Sequence, residues 1–313
     1  MNAPAAIVPV TRVRPFYWSV RRELWENRSL YMAPRVAAAV VLIGYVLGLI
    51  MGSENQLDLS SLPPALVRGR ALVPYGFSAF AIMATMVIVA YFYCLGALQG
   101  ERGDRSLLFW KSLPVSDRTT VLAKAAIPML VLPLLTFAVI VVLQAAILLL
   151  ACAFLAAKGK SAAALWNALP IMSMLVGYFY ALLTMALWNA PVYGWLLLVS
   201  AWAQRSTFLW ATLPLLAVSC IEKIAFDSWH FAAFLQGRFT GSISRAFSVA
   251  PPDPALVAEA AKAGAHSGRA MYIPETVPDP AKFFGNPELW LGLAAAVALI
   301  AVVIRLRRLR EPV

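Results

Sequence analysis

Residues 131–157 read VLPLLTFAVIVVLQAAILLLACAFLAA, and no charged side chain interrupts them. As an α-helix the stretch would run about 40 Å at 1.5 Å per residue, more than the ~30 Å hydrocarbon core of a bilayer. It does not alternate. A strand of a membrane barrel needs roughly ten-residue segments with every second residue apolar, so this run reads as a helix made for lipid.

The rest of the chain has the same character. Of 313 residues, 61% are hydrophobic and 13% charged, against about half and a quarter in a soluble domain. The apolar residues gather into long uncharged runs, as in spanning helices. A net charge of +11 raises nucleic acid as a partner, but the basic residues stand beside the membrane-length runs, where topology and anionic headgroups account for them. Cys94, Cys152 and Cys220 each lie in or at the end of an apolar run without metal-ligand spacing, and read as small hydrophobes. The first fifteen residues lack the pattern of a cleaved signal peptide, so the first span is expected to act as its own insertion signal.

Six spans are expected, over 34–52, 74–98, 122–155, 169–203, 207–226 and 288–305, in a single transmembrane domain covering 1–313. Residues 122–155 are too long for a straight crossing, and Pro128 and Pro133 offer kink points. Residues 169–203 carry Asn189-Ala190-Pro191 in mid-run and read as one broken span. Two crossings there would send the C-terminal arginines to the other side. Placing both termini in the cytoplasm gathers Arg12, Arg14, Arg21, Arg22, Arg28 and Arg35 with Arg102, Arg105, Lys111, Arg118 and Lys124, and with Arg305, Arg307, Arg308 and Arg310. The positive-inside rule favours this orientation although Lys158 and Lys160 fall outside.

Two polar regions remain. Residues 12–31 put Phe16, Tyr17, Val20, Leu24 and Tyr31 on one helical face, with Arg21, Arg22, Glu23 and Glu26 elsewhere. Trp18 and Trp25 suit the headgroup layer, so an interfacial helix is expected. Residues 227–287, rich in Pro, Gly and Ala, are expected to form an extracytoplasmic cap of short helices, one starting at Asp253-Pro254 and stopping at Gly264.

Chemistry is sparse. The sequence AAKGKS over 156–161 resembles the end of a phosphate loop, but Phe154 stands where the first glycine is required. His230 and His266 have no second ligand at metal spacing. Glu222 and Lys223, near the outer end of the fifth span, read as a pair or as snorkelling groups. No catalytic, cofactor or metal site is expected in the chain.

The segment ERGDRSLLFWKSLPVSD, residues 101–117, stands between spans two and three. Leu107, Leu108, Phe109 and Trp110 point around most of a helix, which suits contact on two sides and not one. Asp104 or Ser106 would cap this short helix and Pro114 would stop it. Ser116 with Asp117 would start the next span. With the RTTVLAKAA that follows, the segment resembles the first cytoplasmic loop of the membrane subunits of type-2 ATP-binding-cassette exporters, which forms a coupling helix. FYWSVRRELWENRSLY, from residue 16, similarly resembles their elbow helix.

That resemblance implies a homodimeric permease of the inner membrane, working in export and bound to two copies of a separate ATPase subunit that carries ATP and magnesium. Glu101, Arg102, Asp104, Arg105, Phe109, Trp110, Lys111, Pro114 and Asp117 would then meet the ATPase. Phe16, Trp18, Arg21, Arg22, Glu23 and Trp25 would form the elbow on the lipid bilayer. Tyr178, Tyr180, Trp188 and Asn189 are candidates for a pathway, against the commoner role of core aromatics. An ion-gradient-driven carrier, a lipid-modifying enzyme and a non-transporting assembly subunit are the alternatives. The first needs an intramembrane carboxylate and the second a cluster of His, Asp or Glu, and neither feature is evident.

Overall fold

The structure, a computed structural model, describes residues 14–51, 64–99, 116–249, 254, 258 and 276–309. It is a helical bundle in which six helices are long and apolar enough to cross a membrane. A short helix α1 (Pro15–Glu26) precedes the first of these, α2 (Ser29–Met51). The expected single helix over 12–31 is thus divided, because the chain turns at Asn27-Arg28, and Tyr31 belongs to the first span. The second long helix, α3 (Pro64–Gly96), begins ten residues before the expected start at 74 and carries Pro74 in its interior.

The third is the longest, covering Asp117–Ala157. It is built from α4 (Asp117–Ala126), a π-helical turn (Ile127–Val131) and α5 (Leu132–Ala157). Neither Pro128 nor Pro133 has an N–H to give the carbonyl four residues earlier, and the wider turn lies between these two gaps in the ladder. At the start of α4 the Ser116 hydroxyl accepts the N–H of Thr119 at 3.2 Å, so Ser116 and Asp117 open the helix as the sequence suggests. After a short α6 (Ala163–Ala168) the expected broken span appears as α7 (Ile171–Trp188) and α8 (Ala190–Trp202). The ladder continues through the break, with Asn189 donating to the Met185 carbonyl and Tyr193 to that of Asn189, both at 3.0 Å. At 13 residues α8 is only about 20 Å long, too short to cross alone.

The fifth long helix, α9 (Thr207–Phe226), matches its expected bounds, and the sixth, α12 (Pro287–Leu309), extends through Arg307 and Arg308 in its last turn. Between them, where short helices are expected, lie α10 (His230–Ala246), an antiparallel ribbon of β1 (Phe247–Val249) with β2 (Thr276–Pro278), and α11 (Pro280–Phe284). Residues 254 and 258 are helical; most of the helix expected from Asp253 to Gly264 lies outside the described residues. Instead of projecting, α10 folds back on the bundle. The ring of Phe239 lies 5.6 Å from Tyr91 of α3, and Trp188 donates its indole N–H to the Gly237 carbonyl at 3.1 Å.

The core lies between α3, α5, α7 and α8, where Ile82, Met86, Ile140, Ile147, Leu182 and Leu197 are buried. Gln144 donates to the Tyr75 carbonyl at 3.0 Å and to the Ser78 hydroxyl at 3.3 Å, a polar bridge from α5 to α3. The perimeter is apolar as well. Val40, Val142, Ile224, Leu291 and Val297 are all more than 60% exposed, as on a surface solvated by lipid.

The broadest helix contact joins α8 to α12, and Gly194 makes it possible. A Cβ there would meet the Leu299 Cβ at 3.3 Å and the Ala296 carbonyl at 3.4 Å. Gly194→Leu is expected to destabilise the bundle by about 1–3 kcal/mol through overpacking, measured as a lower midpoint of thermal unfolding in mild detergent; an unchanged midpoint would show that the two helices separate freely.

Candidate functional site

One end of the bundle collects the last turn of α1, the end of α3, α4, the α8–α9 turn and the end of α12. Here the chain leaves α3 and returns at Ser116, so this end holds both flanks of the 101–117 segment. Of the coupling residues expected from the sequence, Asp117 is described; Glu101, Arg102, Asp104, Arg105, Phe109, Trp110, Lys111 and Pro114 lie outside the described residues.

The outgoing flank is tied by its backbone. The N–H groups of Leu98 and Gln99 both donate to the Ser200 hydroxyl, at 3.0 and 3.2 Å, and the Thr207 hydroxyl donates to the Gln99 side-chain carbonyl at 3.0 Å. These contacts bind the flank to the end of α8 and the start of α9. The turn between those helices passes through Ser206 at φ 49°, a left-handed conformation unusual for a residue with a Cβ.

The returning flank is tied by charge. The Arg307 Nε donates to the Asp117 carboxylate at 2.9 Å, joining α12 to α4. About two turns further on, the Lys124 ammonium lies 2.7 Å from Glu23 Oε1, and each side chain is only 3% exposed. The other carboxylate oxygen, Oε2, accepts the Tyr93 hydroxyl at 2.9 Å. Tyr93 is on α3 and Lys124 on α4, so one carboxylate from α1 grips the chain before and after the segment. A buried pair of this kind is stable only with its further hydrogen bonds in place.

Of the other α1 residues singled out from the sequence, Phe16, Trp18 and Trp25 are about half exposed or more. The Arg21 guanidinium lies over the rings of Trp18 and Trp25, at 5.2 and 4.6 Å, and Arg22 pairs with Glu26 at 2.7 Å. The expectation that Glu23 lies away from the packed face is corrected. Val20 and Leu24 do pack inward, but Glu23 is the buried residue of the helix because Lys124 and Tyr93 wait for it.

A second constellation occupies the opposite half, around Trp188. The guanidinium carbons of Arg238 and Arg245 lie 4.5 and 4.6 Å from the centre of its indole ring. Arg245 pairs with the Glu288 carboxylate at 2.9 Å, and Arg238 donates to the Glu288 backbone carbonyl at 2.7 Å. Burial disfavours the charged form of Arg238 and lowers its pKa, while Glu288 opposes the shift. Gly292 leaves room for this guanidinium, since a Cβ there would come within 2.7 Å of Nη1. Glu222 and Lys223 have separate local partners: Lys223 pairs with Asp227, while the Glu222 carboxylate caps α10 by accepting the N–H groups of His230 and Phe231 at 2.9 and 2.8 Å. Tyr180 and Asn189 are in the bundle interior, where the Tyr180 hydroxyl and Asn189 Oδ1 have no partner among the described residues. Tyr178 packs at the edge of the core. Among the described residues no three His, Cys, Asp or Glu side chains come together as a metal site.

These features define a multi-pass helical membrane protein with an ion-paired hub at one end. No family model matches the chain, and no match is found among curated proteins or solved structures.

Glu23→Ala leaves Lys124 buried without its carboxylate and is expected to cost about 3–5 kcal/mol, whereas the double change Glu23→Gln with Lys124→Met is expected to be far milder. Thermal unfolding in detergent separates the two; equal losses would place the hub's value in shape and not in charge.

The ribbon at the other end has its own electrostatic tie. The Ser248 hydroxyl donates to Asp279 at 2.6 Å and the Lys282 N–H at 3.0 Å, and both hold the Asp279 carboxyl below the usual carboxylate range. A lowered carboxyl pKa favours the folded ribbon above the ordinary Asp value of roughly 3.9 and loses that effect as pH falls through the folded value. Protection of the amides over 276–284 against hydrogen exchange, relative to the unfolded-chain rate at each pH, is therefore expected to fall below about pH 4, and Asp279→Asn should remove that dependence.

Proposed function

We propose that this chain is the permease subunit of a type-2 ATP-binding-cassette exporter, working as a homodimer in the inner membrane with two copies of a separate ATPase. One observation carries the reading: the segment whose sequence resembles a coupling helix has both its flanks bonded to Glu23 of α1. A part that receives force must be fastened to the parts it moves. Here ATP-driven closure of the partner dimer displaces residues 101–117, and the displacement passes through Tyr93 into α3, through Lys124 into α4 and α5, and through Asp117 into α12. The arginine-rich end is cytoplasmic in this scheme, with both termini there, and α1 is the elbow lying along the membrane face. ATP and magnesium belong to the partner. Glu101, Arg102, Asp104, Arg105 and Lys111 present charge to the ATPase, Pro114 ends the helix, and Phe109 and Trp110 fill its socket.

The buried Glu23–Lys124 pair also suits a second reading, a carrier driven by an ion gradient. The two diverge on the ATPase. Under the first, a P-loop ATPase co-purifies from native membranes in mild detergent, and Trp110→Ala weakens that association by about 2 kcal/mol, roughly 30-fold, with an unchanged unfolding midpoint. Transport in liposomes without any ATPase, or full transport by Trp110→Ala, overturns it.

A further inference from the structure

Between α2 and α5 runs a groove of about 440 Å³, open on the perimeter of the bundle. Tyr31, Pro34, Arg35, Ala38, Ala39 and Leu42 line one wall. Leu135, Ala138, Val139, Val142, Leu143 and Ala146 line the other. The two sets have the same spacing, one continuous stripe from each helix. Ala38, Ala39, Ala138 and Ala146 leave space between the walls because their side chains are short. Each stripe covers eleven residue steps, about 16 Å of helix, close to half the ~30 Å hydrocarbon core. The groove is therefore as long as one leaflet is deep.

Its chemistry is apolar except at the end nearer the charged hub. There Arg35 is exposed, with its guanidinium 5.0 Å from the centre of the Tyr31 ring. Nearby arginines have carboxylates: Arg22 has Glu26, and Arg307 has Asp117. Among the described residues no carboxylate pairs with Arg35. A cation at the mouth of an apolar, leaflet-long slot is complementary to one molecule type, an anionic phospholipid with a chain in the slot and its phosphate against the guanidinium. We propose that the α2–α5 groove is a binding site for one anionic phospholipid of the leaflet next to the arginine-rich end. The site depends on membrane embedding and on no particular transport mechanism.

The full chain in mild detergent, titrated separately with phosphatidylglycerol and phosphatidylcholine and observed by native mass spectrometry, tests this. One phosphatidylglycerol is expected to be retained in preference to phosphatidylcholine. Arg35→Gln should weaken phosphatidylglycerol about five-fold, the factor one basic residue supplies at a membrane surface, and abolish the preference. Ala138→Phe should exclude both lipids; Ala39→Leu, at an exposed position, serves if that variant does not fold. Phosphatidylglycerol retention unchanged in Arg35→Gln and in the groove-filling variants overturns the site. Displacement of the lipid by inorganic phosphate alone would mean an anion site without a chain slot. A dimer that becomes monomeric on Ala138→Phe, with no lipid bound by the native chain, would give the groove to a second copy.

Discussion

A carboxylate withdrawn from solvent must be surrounded by donors, and Glu23 sets this requirement for one whole end of the molecule. Its two oxygens take an ammonium and a phenol from two different helices. Desolvating a carboxylate and an ammonium costs several kcal/mol each, which their attraction offsets only when geometry and additional hydrogen bonds are in place. The ends of α1, α3 and α4 are consequently held at one separation and in one register. Arg307 with Asp117 adds α12 to the same frame, and Ser200 with Thr207 adds α8 and α9. The frame encloses the two points where the 101–117 segment joins the bundle.

The opposite half follows a related rule with aromatic groups. Trp188 sits where the fourth long helix breaks, and its ring receives two guanidinium groups from α10. Glu288 at the start of α12 takes one as an ion pair and the other through its backbone carbonyl. This arrangement explains why α10 folds back instead of standing away from the bundle. Glu288 of this hub and Arg307 of the first lie near opposite ends of α12, and α8 runs from the break beside Trp188 to Ser200 in the first hub, so these two helices join the constellations.

Much of the architecture was legible in the chain because lipid imposes a simple code. An apolar run of membrane length has to satisfy its own backbone, so it becomes a helix wherever it packs. That is why residues 207–226 matched their helix and why Asn189 with Pro191 marked the break. Ends were less legible. Hydropathy alone put the third span at 122, whereas the Ser116 cap signal marked the start at Asp117 that the structure shows, where an ion pair to Arg307 adds to the polar turns. The section after the fifth span was legible as short helices but not in its packing: α10 is capped by Glu222 of the preceding helix and held by Tyr91 of α3 and Trp188 of α7, the last two from distant positions.

By itself the sequence determined the solvent this protein lives in, the number of its long apolar helices and the place of the break, since each depends on residues close together in the chain. Only the tertiary structure decided that Glu23, read as a charge on the exposed face of α1, is buried beside Lys124, and that Arg238 and Arg245 share one tryptophan. Those pairings join residues far apart in sequence, and their strength depends on partners meeting at a site shielded from water, which no local pattern encodes.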